Sequence, residues 1–384
     1  MLLRDYLKKL FLFLIVATLF LLAAEGVSRV FFDPTDYLWR RLKSDDILRY
    51  RVEPNTRGHD SWGFRNKSVP EKADIVALGD SQTYGTSSLA KHSWPSVLGK
   101  LTGGQVYNMS LGGYGPAEYL YLMEHKALGL NPDLIIAGFS LGNDLTDSYT
   151  AVYNVPVWKD LRNPEIASVH AQISPDPNKT SLKKNPQASF MKQIYLIADW
   201  FSGHSVLYRI INTSYLGDYI RQKRMIRMGV DIEMFEDSEH GIYTGFTPEK
   251  WLGGLDLKTP EVGEGLRLTL NFFNQMNEIA ERNSVRFLVV LIPTKESVFA
   301  DLIEGNGSLA SSEKIDRLIE NERQINNIIK SYFREHDISY LDVLKPLKSA
   351  VNKEQIYPSN YSGHPNKNGN RIIAESIKQS MDSR

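Results

Sequence analysis

The most conspicuous pattern in the chain is an apolar run close to its N-terminus. Three basic residues among the first nine precede residues 10–24, a segment with no charged side chain. The run is short for a bilayer span of about 20 residues, but a helix can extend it to Phe32. Because basic residues collect on the cytoplasmic side, the remaining chain is expected outside. We therefore predict a single-pass anchor in the cytoplasmic membrane over residues 1–32.

Two other interpretations of this segment stay open. Leu22-Ala23-Ala24 ends in small residues, as a cleaved secretory signal does, and a buried helix would also be apolar. No later stretch of the sequence is long and apolar enough to span a bilayer. Beyond the anchor we expect a polar membrane-proximal connector over residues 33–72 and one extracytoplasmic domain over residues 73–384.

Further along the chain, short apolar runs alternate with segments of helical periodicity. The runs are continuous, which is typical of parallel strands covered on both faces. Strand–helix alternation predicts an α/β fold with a doubly wound parallel sheet of five strands. The expected strands are 74–78, 105–108, 133–139, 285–292 and 338–342, and the expected helices are 116–128, 264–283, 312–333 and 368–381.

Residues 150–260 interrupt this alternation. They contain proline-rich loops, a basic cluster between residues 221 and 227, and an acidic cluster between residues 231 and 239. We predict an insertion between the third and fourth strands, with its charged runs solvated. A lid or a polymer-binding surface over a site is the alternative.

Composition and charge narrow the classes of function. The 384 residues include 45 basic and 45 acidic side chains, which argues against a nucleic-acid partner bound by bulk electrostatics. The chain has no cysteine, so disulfides, thiolate metal sites and a cysteine nucleophile are excluded. The eight histidines form no metal-binding motif, and no cofactor is expected.

Four short motifs follow successive predicted strands or precede the last helix. Ser81 comes directly after the first strand, where a helix N-terminus offers free N–H groups to an oxyanion. Gly113 lies in a glycine-rich turn after the second strand, where the backbone can approach a ligand closely. Asn143 follows the third strand and carries an amide donor, and His364 precedes the last helix. Each motif alone is typical of an ordinary turn, but their joint placement favours a catalytic site.

The order of these motifs resembles the four blocks of the SGNH/GDSL hydrolase family, over residues 73–376 without the insertion. The resemblance implies a flavodoxin-like sheet, with Ser81 as the nucleophile and His364 as its base. It also implies an oxyanion hole formed by the N–H groups of Ser81 and Gly113 and by the Asn143 side chain.

A closer resemblance is carried by residues 60–65, residues 292–296 and the N-terminal anchor. These features are similar to a branch that includes membrane-tethered relatives of alginate O-acetylation proteins. A membrane acyltransferase partner would then favour acyl transfer over hydrolysis.

One departure from the family pattern concerns the residue that orients the base. The family usually has aspartate two or three residues before the histidine, but Tyr361 and Ser362 occupy those positions. In a serine–histidine site the acid orients the imidazole and stabilises its charged form. Asp144 and Asp147, in the loop after the third strand, are the candidate replacements. A backbone carbonyl, a simple serine–histidine dyad and an inactive site are the alternatives.

The expected function is that of a serine esterase or O-acyltransferase acting on acyl, chiefly acetyl, esters of envelope or exported polysaccharide. Trp62, Tyr84, Trp94 and Tyr114 lie near the motifs and could stack on sugars or belong to the core. A catalytically decayed domain that binds polysaccharide or scaffolds an assembly is the first alternative. A lipase or thioesterase with an apolar groove under the insertion is the second.

Overall fold

Five strands form a central parallel sheet, and two hairpins lie outside it. The computed structural model describes residues 2–167, 196–227, 229–238, 241–305 and 313–383. The hairpins pair β1 (Leu42–Asp45) with β2 (Arg49–Val52) and β6 (Glu233–Asp237) with β7 (Ile242–Phe246). The central strands are β3 (Ile75–Gly79), β4 (Val106–Ser110), β5 (Leu134–Ser140), β8 (Arg286–Ile292) and β9 (Tyr340–Asp342).

The strand order of the central sheet is β4-β3-β5-β8-β9. Its first strand in the chain therefore lies inside the sheet and its second at one edge, which is the flavodoxin-like doubly wound arrangement. Every residue of β3 and β5 is buried, as expected for strands covered by helices on both faces. The predicted fold class and the five predicted strands are confirmed.

Helices pack on both faces of the sheet and enclose two apolar cores. One core lies under Pro260–Arg282, whose buried face includes Phe272, Phe273 and Met276. The other core contains residues of Trp94–Thr102 and Lys367–Asp382. The α-helices of the described chain include Leu2–Phe31, Pro34–Tyr37, Ser81–Tyr84, Trp94–Thr102, Pro116–Leu122, Asp144–Asn154, Val206–Asn212, Tyr215–Arg227, Pro248–Leu252, Pro260–Arg282, Lys295–Gly305, Glu313–Glu335, Leu344–Val351 and Lys367–Asp382.

The N-terminal segment is one continuous helix, Leu2–Phe31. Most of its apolar side chains are exposed. Among the described residues, it is the one helix long and apolar enough to cross a membrane, over Arg4–Phe31.

The segment predicted as a connector packs against the domain as part of its fold. Arg65 is buried and donates hydrogen bonds to the carbonyl oxygens of Asp36 at 2.7 Å and Gly85 at 3.2 Å. The Asp60 carboxylate accepts a hydrogen bond from the Tyr107 hydroxyl of β4 at 2.8 Å. The packing therefore continues across the boundary that we predicted between residues 72 and 73.

The insertion contributes to the core instead of forming loops alone. Its residues 168–195 lie outside the described residues. In the described remainder, Phe235 of β6 and Phe246 of β7 are buried against Phe299, with ring centroids 6.0 and 5.5 Å from it. The β6–β7 hairpin therefore belongs to the packed domain.

Two strand glycines bring the short helix Ser81–Tyr84 close to the sheet. A Cβ on Gly79 of β3 would lie 2.1 Å from Thr83 Oγ1, and a Cβ on Gly138 of β5 would lie 2.2 Å from the same atom. Thr83 therefore occupies the space that two side chains would need. This close approach sets the position of Ser81 at the carboxyl edge of the sheet.

We expect Gly79→Ala to lower the free energy of unfolding by about 1–3 kcal/mol, as overpacking of a core does. The new methyl group overlaps Thr83, so the helix that carries Ser81 must move. Chemical denaturation in detergent micelles measures the change. Gly129→Ala is the control, because a Cβ there meets no atom within 4 Å. Equal stability of Gly79→Ala and the wild type would contradict this packing.

Candidate active site

Ser81 and His364 are hydrogen-bonded to each other across the carboxyl edge of the sheet. Ser81 is the first residue of its helix, directly after Asp80, whose carboxylate caps that helix by accepting from Gln82 N at 2.8 Å. The distance from Ser81 Oγ to His364 Nε2 is 2.8 Å. The chain thus brings together two residues that are 283 positions apart in sequence.

The loop that carries His364 is fixed at its base by two asparagines. Asn366 caps Lys367–Asp382 by accepting hydrogen bonds from two backbone N–H groups of its first turn. The Asn370 side chain donates to Pro365 O at 3.0 Å and accepts from Trp94 N at 3.0 Å. The backbone around His364 is therefore tied both to its own helix and to a neighbouring one.

A serine hydroxyl occupies the place of the missing acid. Ser362 Oγ lies 3.1 Å from His364 Nδ1 and 2.7 Å from Ser87 Oγ. If Ser81 donates its proton to Nε2, then His364 carries its own proton on Nδ1 and donates it to Ser362. Ser362 can in turn donate to Ser87. The hydrogen-bond chain Ser81–His364–Ser362–Ser87 orients the imidazole without a negative charge.

The two carboxylates that we predicted as replacements have other partners. Asp144 accepts hydrogen bonds from Ser140 N at 3.1 Å and from the Tyr119 hydroxyl at 3.0 Å. Asp147 accepts from Asn143 Nδ2 at 2.7 Å. Within the described residues neither side chain is hydrogen-bonded to His364, and both accept hydrogen bonds from these other partners. Their expected role as orienters is therefore replaced by that of Ser362.

Backbone donors line one side of Ser81. A Cβ on Gly112 would lie 3.2 Å from Ser81 Cβ, so the turn after β4 lies directly against Ser81. Gly113 has φ +87°, and a Cβ there would lie 2.1 Å from the Tyr50 hydroxyl oxygen. Glycine is thus required at residue 113 both by its left-handed backbone and by Tyr50. The N–H groups of Ser81 and Gly113 take no acceptor among the described residues and are available to an oxyanion.

Asn143 reaches the site, but its amide group is engaged by carboxylates. Its Nδ2 donates to Asp147 at 2.7 Å and to Asp80 at 3.2 Å. Its Oδ1 accepts from the Ser140 hydroxyl at 2.7 Å, which fixes the orientation of the amide. Of the three predicted oxyanion donors, the N–H groups of Ser81 and Gly113 therefore have no acceptor among the described residues. The third, the Asn143 amide, is part of a hydrogen-bonded network.

This network continues to the β1–β2 hairpin, which the sequence did not connect with the site. Arg49 Nε donates to Glu118 at 2.6 Å, its Nη2 donates to Gly113 O at 2.5 Å, and its Nη1 lies 3.5 Å from Asp147. Burial raises the pKa of Glu118, of Asp147 and, to about 6, of Asp80. The half-buried guanidinium of Arg49 thus links the turn at Gly113 to the carboxylates around Asn143.

Two lysines and Arg40 also lie around the site, and burial lowers the pKa of Lys250 and, to about 7, that of Lys295. Lys295 Nζ donates to the carbonyl oxygens of Gly245, Asn360 and Ser362 at 2.9, 3.0 and 3.2 Å. These three bonds use all its N–H groups and hold the loop before His364. Lys250 lies 4.2 Å from the centre of the Trp251 ring.

Arg40 lies beside Ser81. A Cβ built on Gly112 would lie between the two residues, 2.7 Å from Arg40 Nη2 and 3.2 Å from Ser81 Cβ. The guanidinium lies over the rings of Trp39 and Tyr84, 4.5 and 5.0 Å from their centres. Its Nε and Nη1 are buried and have no hydrogen-bond partner among the described residues.

These surroundings disfavour the charged form of His364. Burial, and then the positive charges of Lys250, Arg40 and Lys295, lower the pKa of His364 to about 3. No carboxylate among its hydrogen-bond partners opposes this shift. The imidazole is therefore neutral in neutral and mildly acidic solution, and its low pKa makes it a weaker base than an imidazole whose pKa lies near the working pH.

The aromatic residues that we considered for sugar stacking lie mainly in the core. Tyr84, Trp94 and Tyr114 are buried, and Trp62 packs edge-on against Tyr107. Trp251 is a better-placed ring, because a Cβ on Gly363, the residue before His364, would be 3.4 Å from it. The sequence could not single out Trp251, since it lies in the insertion.

Comparison with known proteins gives structural similarity alone. No protein-family model matches the chain, and no curated protein matches its sequence. A putative lipolytic protein of the G-D-S-L family from Desulfitobacterium hafniense is 15% identical, with a TM-score of 0.39 over 81% of this chain and 99% of that one. An extracellular lipase from Streptomyces rimosus is 12% identical, with a TM-score of 0.39 and coverages of 80% and 99%.

A third similar structure is a catalytic mutant of an acetylxylan esterase from Geobacillus stearothermophilus. It is 10% identical, with a TM-score of 0.38 over 82% of this chain and 95% of that one. Because these TM-scores are below 0.5, we assign the fold from the strand order of this chain and not from the similar structures.

We expect Ser362→Asp to raise kcat/KM for a neutral ester by about tenfold or more. A carboxylate beside Nδ1 would stabilise the imidazolium of the transition state; in a serine protease, amide replacement of that aspartate lowers kcat about 10⁴-fold. The variant should also raise the pKa of His364. Because Asp80, beside Ser81, has its own pKa of about 6, the expectation concerns the difference between the two proteins: the variant should lose activity at a higher pH than the wild type.

Ester hydrolysis measured from pH 8 to about pH 5 tests both expectations. Ser362→Asn is the matched control, because it resembles aspartate in size but brings no charge, and it should give no gain. An equal rate in Ser362→Asp, or loss of activity at the same pH in both proteins, would contradict the role given to Ser362.

Proposed function

We propose that the chain is a membrane-anchored SGNH-type serine esterase or O-acyltransferase that acts outside the cytoplasmic membrane. The observation that carries the proposal is the 2.8 Å hydrogen bond between Ser81 Oγ and His364 Nε2. This contact supports Ser81 as the proposed nucleophile and His364 as its proposed base, and the N–H groups of Ser81 and Gly113 are the proposed oxyanion donors. The exposed apolar helix Leu2–Phe31 supplies the anchor.

The first half-reaction follows from this geometry. Ser81 Oγ attacks the ester carbonyl carbon while its proton passes to His364 Nε2. The carbonyl oxygen becomes an oxyanion and accepts hydrogen bonds from the N–H groups of Ser81 and Gly113. Collapse of this intermediate breaks the bond to the leaving oxygen, which takes the proton back from His364. The product is an acyl ester on Ser81.

The second half-reaction decides between hydrolysis and transfer. A water molecule or a sugar hydroxyl gives its proton to His364 and attacks the acyl-Ser81 carbonyl carbon. Collapse of this second intermediate breaks the bond between the acyl carbon and Ser81 Oγ, which takes the proton back from His364. Water releases a free acid, whereas a sugar hydroxyl takes up the acyl group. Envelope or exported polysaccharide is the proposed substrate class, from the motif resemblance and from the extracytoplasmic side of the anchor, and a membrane acyltransferase is the proposed partner if transfer dominates.

A polysaccharide-binding scaffold with a decayed site is the second candidate. Two observations favour it: His364 has a hydroxyl partner in place of a carboxylate, and the Asn143 amide is held by Asp147 and Asp80. Both features weaken transition-state stabilisation, and neither hinders binding of a glycan.

Para-nitrophenyl acetate and the full chain in detergent micelles separate these candidates. We expect release of para-nitrophenol and a transient mass increase of one acetyl group, both lost in Ser81→Ala because the nucleophile is gone. Ser68→Ala, at an exposed serine, is the control and should behave as the wild type.

No adduct and no rate above that of Ser81→Ala would contradict catalysis with this donor. Glycan binding that survives Ser81→Ala would then favour the scaffold. A strong preference for long-chain over acetyl esters would instead indicate a lipase or thioesterase.

A further inference from the structure

Part of the insertion forms helices with an exposed apolar surface. Residues 196–204 are helical and are followed by Val206–Asn212 and Tyr215–Arg227. Monomeric soluble proteins rarely leave a continuous apolar surface of this kind uncovered. The exposed apolar side chains are Leu196, Ile197, Trp200, Phe201, Ile211, Leu216, Tyr219, Ile220 and Ile226. We call this set the insertion face.

The insertion face is fixed to the far end of the N-terminal helix. Glu25 accepts hydrogen bonds from the Ser205 hydroxyl at 2.7 Å and from the N–H groups of Val206 and Leu207, each at 3.0 Å. Arg29, which pairs with Glu25 at 2.7 Å, also donates to His204 O. The two helices of the insertion that flank Ser205 therefore meet the N-terminal helix at Glu25.

Glu25 marks the level at which the apolar part of the N-terminal helix ends. Residues 10–24 carry no charge, and Glu25 follows them directly. A carboxylate is tolerated near the membrane–water interface but is expensive in the hydrocarbon. If the N-terminal helix spans a bilayer, the contact between Glu25 and Ser205 therefore holds the insertion helices at the level of the membrane–water interface.

The same helices are also attached to the catalytic domain. Trp39 N donates to Ser202 O at 2.8 Å, and Arg209 Nε donates to Tyr37 O at 2.9 Å. Arg209 lies over the Trp39 ring, 5.2 Å from its centre. Because Trp39 precedes Arg40, which lies beside Ser81, the insertion face and the catalytic serine are joined by short segments of ordered chain.

We propose that the insertion face lies on the outer-leaflet surface of the membrane, with its apolar side chains at the boundary between headgroups and acyl chains. This proposal rests on the membrane anchor proposed above. Trp200 and Tyr219 are of the residue types that favour this boundary. Amphipathic helices with basic residues bind such surfaces through buried apolar area and attraction to anionic headgroups. The basic residues of Tyr215–Arg227 are Arg221, Lys223, Arg224 and Arg227.

This arrangement holds the domain in one orientation on the bilayer. An anchor alone would leave the domain free to rotate at the end of its helix. Two attachments, at the N-terminal helix and at the insertion face, fix the height and direction of the Ser81 site above the lipid surface.

Site-specific fluorescence in nanodiscs tests the proposal on the full chain. The sequence has no cysteine, so single cysteines at Ile197, Trp200 and Ile220 can each carry an environment-sensitive NBD label. The nanodiscs contain phosphatidylcholine and phosphatidylglycerol, with or without bromine on the acyl chains. We expect bromine to quench these three labels at least twofold.

Two further label positions make the outcome decisive. A label at Leu14, within the charge-free run, should be quenched; if it is not, the proposed anchor itself fails. A label at Ile328, an exposed isoleucine of Glu313–Glu335, should not be quenched. Quenching at Leu14 without quenching at the three insertion positions would overturn the inference. Blue-shifted but unquenched insertion labels would show that protein, and not lipid, covers the face, which also overturns it.

Discussion

For Ser81 Oγ to donate its proton to His364 Nε2, 2.8 Å away, His364 must carry its own proton on Nδ1 and find an acceptor for it. Ser362 supplies that acceptor, at 3.1 Å. Lys295 holds the Ser362 carbonyl in place through a 3.2 Å hydrogen bond. The base is therefore oriented as in a triad, but no negative charge balances the imidazolium that forms during attack. Such a site can abstract a proton while giving less stabilisation to the charged intermediate.

The charges around the site are divided between its two sides. Arg40, Lys250 and Lys295 lower the pKa of His364 on one side, and their positive potential favours an oxyanion on Ser81. Asp80 and Asp147 hold the Asn143 amide on the other side. In the proposed reaction, backbone donors and cations would therefore stabilise the negative charge of the intermediate, since the Asn143 amide is already engaged.

The sequence alone was sufficient to predict the central sheet and the residues that follow its strands. Continuous apolar runs predicted each strand, and Ser81, Gly113 and Asn143 follow three of them, so their convergence at one edge was foreseeable. The structure also brings His364 to that edge. The sequence analysis missed the partner of His364 Nδ1 because it looked for a carboxylate. The structure has the hydroxyl of Ser362 at that place.

Other contributors had no signal in the sequence. Arg49 and Tyr50 come from a polar hairpin that resembles a connector, and only its packing against the turn after β4 reveals their contacts with Gly113 and Gly112. Trp251 and the β6–β7 hairpin lie in the insertion, where no periodic pattern fixes a partner. Long-range contacts made by irregular polar segments depend on the assembled core and cannot be inferred from local pattern.

The central claim is that His364 is neutral and carries its proton on Nδ1. Nitrogen-15 NMR of the imidazole rings tests this claim most directly. The chain has eight histidines, and a His364→Gln variant identifies the signal of interest by its loss. We expect Nδ1 to be protonated and Nε2 to be unprotonated from pH 8 down to about pH 5, since the pKa of His364 is lowered to about 3. Protonation of both nitrogens near pH 6.5, or a neutral ring with its proton on Nε2, would contradict the hydrogen-bond chain from Ser81 to Ser362.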